Sequence, residues 1–170
     1  MERSLSVVTR LFGLLALCLF CPSGCSPTDV PFVCPTGTRM DGIGPPWGRR
    51  QTCILSSKQS NDGRPIRHGP SATWFSNGQM RSLSRYNHGQ LNGEIRLWFA
   101  NGKMSRLGRY ANGFKVGEWT EWGVGGGMQC STNYADGLMH GVRIFYYPNG
   151  RPKSEHMYVE GNLNGPSTSF

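Results

Sequence analysis

A motif that returns every 24 residues constrains the fold of this chain more than any other feature. Each unit begins with a glycine, carries an aromatic residue five positions later, and closes with a tyrosine. The glycines are Gly69, Gly93, Gly117, Gly141 and Gly165, the aromatic residues are Trp74, Trp98, Trp122, Tyr146 and Phe170, and the tyrosines are Tyr86, Tyr110, Tyr134 and Tyr158. So many positions in one register predict a repeat architecture.

Turn residues divide each unit into two short segments rich in aromatic and β-branched residues. The central turn pairs are Asn77-Gly78, Asn101-Gly102, Gly125-Gly126 and Asn149-Gly150. An Asn-Gly pair between two such segments favours a β-hairpin with a two-residue type I′ turn. Helix is the competing interpretation, but glycines and turn pairs interrupt the repeat units at close intervals. The chain is therefore predicted to be all-β, an elongated single-layer antiparallel meander of about four and a half 24-residue β-hairpin repeats.

The two-residue turn fixes an expected register for each hairpin. In the second unit Trp98 faces Ser105, Arg96 faces Leu107, and Glu94 faces Arg109 on one side of the sheet. On the other side Phe99 faces Met104 and Leu97 faces Arg106. The aromatic column that includes Trp98 thus lies on one face. The opposite face carries Phe75, Phe99, Tyr147, Met80, Met104, Met128 and the four closing tyrosines.

The first 24 residues have the pattern of an export signal. Arg3 and Arg10 precede or flank an apolar run from Leu11 to Phe20, which is too short to span a bilayer. Small residues then lead to Cys25, as in a bacterial lipoprotein signal, so Cys25 is the candidate lipidation site and ordinary secretion is the alternative. The protein is expected to be exported, either held in a bacterial cell envelope by a lipid anchor or secreted.

The remaining cysteines divide the segment before the repeats. Cys34 and Cys53 are predicted to form a disulfide, which would stabilise the fold by roughly 3 kcal/mol through loop entropy. Cys130 has no obvious partner. We expect a Pro/Gly-rich tether and disulfide loop over residues 25–50, an N-terminal capping half-repeat over 51–68, and the hairpin repeats over 69–170.

Catalytic, metal and cofactor sites find no support in the sequence. The histidines are dispersed, and the column of His68 and His140 also holds Val116, which marks a structural position. No phosphate-binding loop, catalytic triad order or metal-ligand spacing is present. The chain is therefore expected to be non-enzymatic and to need no cofactor.

A basic stretch with nearby aromatic residues is the best candidate for a binding surface. The net charge is +8, and the segment from Arg81 to Lys115 contains one acidic residue, Glu94. The candidate residues are Trp74, Trp98, Trp122, Arg81, Arg85, Arg96 and Arg109. They suit a protein partner or an anionic envelope surface. In the simpler interpretation, the arginines solubilise the sheet and the aromatic ladder is its own core. Nucleic acid is not expected, given the export signal.

The order of Gly, aromatic, Asn-Gly, Met or Leu, Tyr and a closing Gly-x-x-x-Gly resembles the bacterial variant of the MORN repeat. The resemblance covers residues 69–170, with departures at Gly125-Gly126-Gly127 and at Pro152. The resemblance implies an elongated sheet of hairpins. The family includes proteins labelled as antitoxin components of toxin–antitoxin systems.

These observations predict an exported, lipid-anchored binding scaffold for a protein partner or an envelope surface. One alternative is an antitoxin or immunity protein that binds a toxin, and another is a cell-wall glycan- or choline-binding module. The final segment, 165–170, begins a fifth unit without completing it. This edge is a candidate site of self-association or of strand addition by a partner.

Overall fold

A computed structural model describes residues 32–165 and 167–170. The predicted export signal and the candidate lipidation site Cys25 lie outside these residues. The described chain consists of strands, turns and loops, which confirms the predicted all-β class. The strands are β1 (Thr38–Asp41), β2 (Arg50–Gln59), β3 (Pro65–Trp74), β4 (Met80–Asn87), β5 (Gln90–Leu91), β6 (Gly93–Trp98), β7 (Met104–Ala111), β8 (Phe114–Trp122), β9 (Met128–Ala135), β10 (Leu138–Tyr146), β11 (Pro152–Val159), β12 (Asn162–Leu163) and β13 (Thr168–Ser169).

All thirteen strands belong to one antiparallel sheet in which neighbours along the chain are neighbours in space. The order is β1-β2-β3-β4-β6-β7-β8-β9-β10-β11-β12, with β5 paired to β4 and β13 paired to β11. This is the predicted open meander, and its connections are short hairpins. Within the described residues no helix is long and apolar enough to cross a membrane.

The loops at one end of the sheet differ from the predicted two-residue turns. In the second unit the amide of Gly102 donates to the Phe99 carbonyl, and the amide of Phe99 donates to the Lys103 carbonyl. Gly102 has a φ of 80°. This is a three-residue loop with a glycine in the left-handed region, which adds a bulge to the second strand. Trp98 therefore pairs with Met104, and the predicted pairing of Trp98 with Ser105 is wrong.

Two-residue type I′ turns occur instead at the opposite end of the sheet. Asn112 and Gly113 have φ values of 48° and 87°, and the flanking residues Ala111 and Phe114 pair with each other. The same turn recurs at His88-Gly89, Asp136-Gly137 and Glu160-Gly161. Two successive residues with positive φ define this turn. We call this the turn end of the sheet, and the end with the three-residue loops the loop end.

Away from the loop end, the predicted register holds. Glu94 pairs with Arg109, Arg96 with Leu107, and Leu97 with Arg106. Side chains alternate between the two faces of each strand. We call the side of Trp74, Trp98, Trp122 and Tyr146 the tryptophan face, and the side of the four closing tyrosines the tyrosine face.

Asparagine side chains join consecutive loops at the loop end. The Asn77 amide donates to the Ala100 carbonyl at 2.7 Å, and the Asn101 amide donates to the Val124 carbonyl at 2.9 Å. Each side-chain oxygen also accepts from a backbone amide two residues later in its own loop. The repeated asparagine therefore both closes its own loop and holds the next unit in place. Gly125 occupies the corresponding position of the third loop.

The N-terminal edge of the sheet lies within the disulfide loop. Cys34 and Cys53 are bonded, as predicted, and β1, which follows Cys34, pairs with β2, which contains Cys53. The buried apolar side chains are Cys53, Ile54, Ala72, Met80, Trp119 and Cys130. Trp119, at 2% exposure, lies outside the predicted aromatic columns, because its column contains Ser71, Ile95 and Arg143 in the other units.

Candidate binding surface

The four predicted arginines are solvent-exposed on the tryptophan face, whereas Trp74, Trp98 and Trp122 are half-buried. Arg96 forms an ion pair with Glu94, the acidic residue paired with Arg109 across the hairpin. We define the arginine surface as Arg81, Arg85, Arg96 and Arg109. It carries more positive than negative charge because Glu94 is the one acidic residue between Arg64 and Lys115.

One residue of the arginine surface stacks on a phenylalanine ring. Arg81 lies over the Phe75 ring, with the guanidinium carbon 5.7 Å from the ring centre. The sequence prediction had placed Phe75 on the opposite face. Among the described residues, no cation lies over the rings of Trp74, Trp98 or Trp122. The half-buried tryptophans therefore act as packing surface, and the exposed chemistry of this face is that of the arginines.

Charge is divided unevenly along the sheet. Residues 64–115 contain nine Lys and Arg and one acidic residue, whereas residues 116–170 contain three Lys and Arg and five acidic residues. The formal charges are therefore +8 and −2, with histidine taken as neutral. Because consecutive units follow one another across the sheet, one half of the repeat array is strongly basic and the other weakly acidic. An uneven distribution of charge of this kind attracts acidic partners to the basic half and orients them.

The tyrosine face carries a cation held between aromatic rings. Tyr110 and Trp119 are in edge contact with ring centres 5.0 Å apart, and Tyr134 lies 6.1 Å from Trp119. The Lys115 ammonium is 4.5 Å from the Trp119 ring centre and 4.7 Å from that of Tyr134. The Trp119 indole nitrogen donates to the Arg109 carbonyl at 3.2 Å. We call Tyr110, Trp119 and Tyr134 the aromatic cage.

Burial shifts the pKa of Lys115 and the pKa of Tyr134 in the aromatic cage. The pKa of Lys115 is lowered, chiefly by burial and then by the charge of Arg106, while Glu121 acts in the opposite direction. The pKa of Tyr134 is raised, again chiefly by burial. The ammonium of Lys115 lies over the rings of Trp119 and Tyr134, where a quaternary ammonium ligand would bind in such a cage.

The cage was missed in the sequence because Trp119 is off the repeating columns. Its ring packs against Gly108, where a Cβ atom would overlap the indole. The signal that could have revealed it is the combination of an unusually large residue at 119 with an unusually small one at 108. At the position of Gly108 the neighbouring units have Ser84 and Thr132.

A second missed feature is the exposed apolar surface of the disulfide loop. Trp47 is 86% exposed, and Val33, Ile43 and Met40 are also exposed. Trp47 and Arg49 help to line a cavity of about 440 Å³ against Phe75. Exposed tryptophan beside arginine is a common feature of binding surfaces.

The described residues provide no cluster of three or more His, Cys, Asp or Glu side chains that could hold a metal ion. The candidate site described above consists of exposed arginines and half-buried tryptophans.

Comparison with known proteins gives one family match and one structural likeness. Residues 139–160, which form most of the hairpin of the fourth unit, match the family described as MORN repeat variant. A comparison with curated proteins found no match. The fold resembles a chain described as "Glycosylation Associate Protein (Gap123) complex from Streptococcus agalactiae", with a TM-score of 0.38 and 14% identity. The match covers 69% of this chain and 20% of the other chain.

The structural likeness is too weak to carry an argument. The family match lies on the hairpin of β10 and β11, and the hairpins of the three preceding units share its register. MORN repeats are generally non-catalytic and form repeat-type binding scaffolds. The match therefore identifies a MORN-type repeat at residues 139–160.

Proposed function

We propose that this protein is an exported, non-catalytic scaffold, anchored to a membrane through a lipid at Cys25, which binds an acidic protein partner through the arginine surface. The observation that carries the proposal is the charge of +8 in residues 64–115, with four exposed arginines on one face of the sheet. Because exposed charges act mainly on encounter, the interaction should be fast and salt-dependent.

The partner-binding test compares two triple variants of the full chain. Arg81→Gln/Arg85→Gln/Arg109→Gln neutralises the arginine surface and keeps Arg96, so that Glu94 retains its ion pair. The control, Arg39→Gln/Lys58→Gln/Arg151→Gln, removes the same charge from exposed positions elsewhere. Proteins captured from the producing cell are quantified with wild type and both variants. An acidic protein retained by wild type and the control but lost from the arginine variant supports the proposal. Equal capture by all three contradicts it.

The anchor has its own test. Cells that produce the protein are labelled with radioactive palmitate, and wild type is compared with Cys25→Ser. We expect the label to be lost in the variant, because the cysteine thiol is the acceptor in this modification. Label that persists undiminished in Cys25→Ser would refute the anchor without affecting the binding proposal.

An antitoxin or immunity protein would use the same arginine surface to bind its toxin. It requires one tightly bound toxin instead of a set of partners. One-to-one binding of a single captured protein, with neutralisation of its toxicity, would favour that role over a general scaffold.

Contact with an anionic envelope surface is a second candidate, and the disulfide loop favours it. The loop exposes Trp47 and Ile43 together with Arg39 and Arg49, a combination suited to the boundary of an anionic membrane. Sedimentation of the Cys25→Ser chain with phosphatidylglycerol vesicles, reduced in Trp47→Ser, would support it. Lack of sedimentation at low salt would count against it.

The glycan- or choline-binding alternative is less compatible with the cage geometry. Lys115 occupies the space between Trp119 and Tyr134. A choline group would have to displace that ammonium, so the alternative predicts stronger choline binding in Lys115→Ala than in wild type. Strong binding by wild type that is lost in Trp98→Ala would instead restore this alternative.

The C-terminal edge is a further candidate contact. β13 covers Ser154 and Glu155 of β11, and β12 covers Tyr158 and Val159. Both covering strands have two residues, which leaves a weakly protected edge. Deletion of 165–170 should change the oligomeric state or the affinity for the captured partner. An unchanged state and affinity would remove this edge from the proposal.

A further inference from the structure

A cavity of about 400 Å³ lies near the loop end of the tyrosine face, in the half of the sheet away from the arginine surface. Its floor follows one row of paired residues across the sheet, in which Cys130 pairs with Phe145 and Phe145 pairs with Ser154. The residues that line it include Glu121, Cys130, Arg143, Phe145, Lys153 and Ser154. None of them belongs to the predicted binding surface.

Arg143 is the group in this cavity with the most unused hydrogen-bonding capacity. Its Nε donates to the Cys130 sulfur at 3.4 Å, and its Nη1 donates to the Met139 sulfur at 3.8 Å. The Tyr158 hydroxyl is a further hydrogen-bond partner of the guanidinium. Sulfur is a weak acceptor, and a guanidinium has five donors. Among the described residues no carboxylate lies within ion-pair distance of Arg143.

The orientation of Arg143 is fixed although its charge is not compensated. The guanidinium carbon lies 4.6 Å from the centre of the Phe145 ring. Stacking on an aromatic ring holds the planar group in one orientation and lowers the entropy lost when a ligand binds. Arg143 is therefore arranged as a planar fork that faces a cavity.

The other charges at the cavity leave a positive surplus. Glu121, which lies opposite Cys130, is paired with Arg106 at 3.0 Å. Lys153, the second cation of the lining, lies 5.8 Å from the centre of the Tyr147 ring. One paired acidic group therefore faces two cations that have no carboxylate partner among the described residues. This surplus favours an anionic ligand, and the planar donor fork of Arg143 matches the two oxygens of a carboxylate.

We propose that this cavity binds a carboxylate group, with Arg143 as the principal ligand and Lys153 as a secondary one. The carboxylate comes either from a small free acid or from an acidic residue or chain terminus of a bound polypeptide. Arg143 would donate two parallel hydrogen bonds to the two oxygens, which is the preferred geometry of an arginine–carboxylate pair. The proposal does not depend on the arginine surface.

Cys130 provides a local reporter because its sulfur contacts Arg143. The full chain is treated with iodoacetamide, and alkylation of Cys130 is followed by mass spectrometry of the peptide that contains it. The probes are acetate, an acetylated Gly-Glu-Gly peptide, the matching Gly-Gln-Gly peptide, and inorganic phosphate. The Nε–Hε resonance of Arg143 is followed by NMR in parallel, so that slow alkylation of the buried thiol does not prevent a result.

We expect the carboxylate probes to slow alkylation and to shift the Arg143 resonance, whereas the glutamine peptide does neither. Arg143→Gln should weaken the protection about tenfold or more, because a charge-assisted hydrogen bond is lost. Arg143→Lys should restore it in part, since it keeps the charge but not the fork. Arg151→Gln, an exposed arginine of the same hairpin, is the matched control and should behave as wild type.

The results distinguish a free acid from a polypeptide as the source of the carboxylate, and they test binding at Arg143. Effects of acetate and of the glutamate peptide indicate that a free acid suffices, whereas effects of the peptide alone indicate a polypeptide ligand. The proposal is overturned if neither carboxylate shifts the Arg143 resonance, or if protection is the same in Arg143→Gln as in wild type. Stronger protection by phosphate than by the carboxylates would overturn the assignment of the ligand class.

Discussion

The indole of Trp119 lies against the backbone of Gly108 on the neighbouring strand, in the space that a side chain at residue 108 would occupy. Trp119 belongs to a bulged segment of β8, where residues 117–119 fall between the pairs Arg109–Val116 and Leu107–Thr120. Three residues of β8 thus oppose Gly108 alone. The bulge and the glycine together create the site for the most buried aromatic residue of the sheet.

This relationship predicts that Gly108→Ala destabilises the protein by about 1–3 kcal/mol through overpacking. Gly108 does not have a positive φ, so the cost is that of steric overlap with Trp119. Gly125→Ala is the matched control, because a Cβ there meets no atom within 4 Å and its φ is also not positive. Urea unfolding of both variants measures the difference. Equal stability of the two would contradict the packing of Trp119 on Gly108.

The hydrogen bonds between loops predict a graded response to loss of asparagine. Asn101→Ala removes a bond within its own loop and a bond to the Val124 carbonyl. Asn149 accepts from Arg151 in its own loop, and in the described part of the chain its amide reaches no other loop. We therefore expect Asn101→Ala to lower the free energy of unfolding by about 1 kcal/mol more than Asn149→Ala. Thermal or urea unfolding provides the measurement, and a larger loss in Asn149→Ala would be the opposite result.

Restoring the asparagine at the third loop should stabilise the fold. By its position in the repeat, an asparagine at 125 would donate to the carbonyl of Pro148, as Asn77 and Asn101 do to Ala100 and Val124. Gly125 does not have a positive φ and its Cβ position is open, so the substitution is sterically permitted. Gly125→Asn should raise the free energy of unfolding by about 0.5–1.5 kcal/mol. Gly125→Ala separates the hydrogen bond from the backbone effect, and equal gains in both variants would exclude the bond to Pro148.

The Cys34–Cys53 disulfide should account for about 3 kcal/mol of stability, because it closes a loop of moderate length in the unfolded chain. A reducing agent should lower the melting temperature of wild type. Cys34→Ser/Cys53→Ser should melt at the lower temperature with or without reductant. Cys130 is buried and not part of the bond, so a further effect of reductant on the double variant would contradict this assignment.

Lys115 should titrate below the ordinary lysine pKa of 10.5, as measured by NMR of its side-chain nitrogen. Burial is the main cause, and Arg106 contributes. Arg106→Gln should therefore raise the pKa of Lys115, whereas Glu121→Gln should lower it further. A shift in the same direction for both variants would be inconsistent with this arrangement of charges.

The lowered pKa of Lys115 also predicts the direction in which the free energy of unfolding changes with pH. Between the folded and unfolded pKa of Lys115, the unfolded state binds more protons, so stability rises with pH in that window. Below the folded pKa the contribution no longer varies with pH. Lys115→Met, which places an apolar residue as Met139 does in the next unit, should abolish the slope in the window below 10.5.

The 24-residue period, the strands and the meander were predictable because each hairpin is formed by residues close together in sequence. Turn residues and alternating side chains carry that information locally. The disulfide was predictable for a related reason, since few cysteines remained in the segment before the repeats. The register of Glu94 with Arg109 followed from counting and holds in the structure.

The turn types were assigned to the wrong ends of the hairpins. An Asn-Gly pair fits both a type I′ turn and a three-residue loop with glycine in the left-handed region. In the first two units the second form is stabilised because the amides of Asn77 and Asn101 then reach carbonyls of the next loop. Those bonds link residues in different units, so the hairpin alone does not specify them.

The sequence by itself therefore determined the repeat, its strands and the exposed arginines of the basic half. The tertiary structure alone decided the partners of Trp119, Lys115 and Arg143. Each of them contacts residues on neighbouring strands, and those contacts depend on bulges that shift the register. Each of these bulges places three residues of one strand opposite a single residue of its neighbour, so local patterns cannot fix which side chains meet. For this reason the aromatic cage and the carboxylate cavity become visible only when the strands are paired.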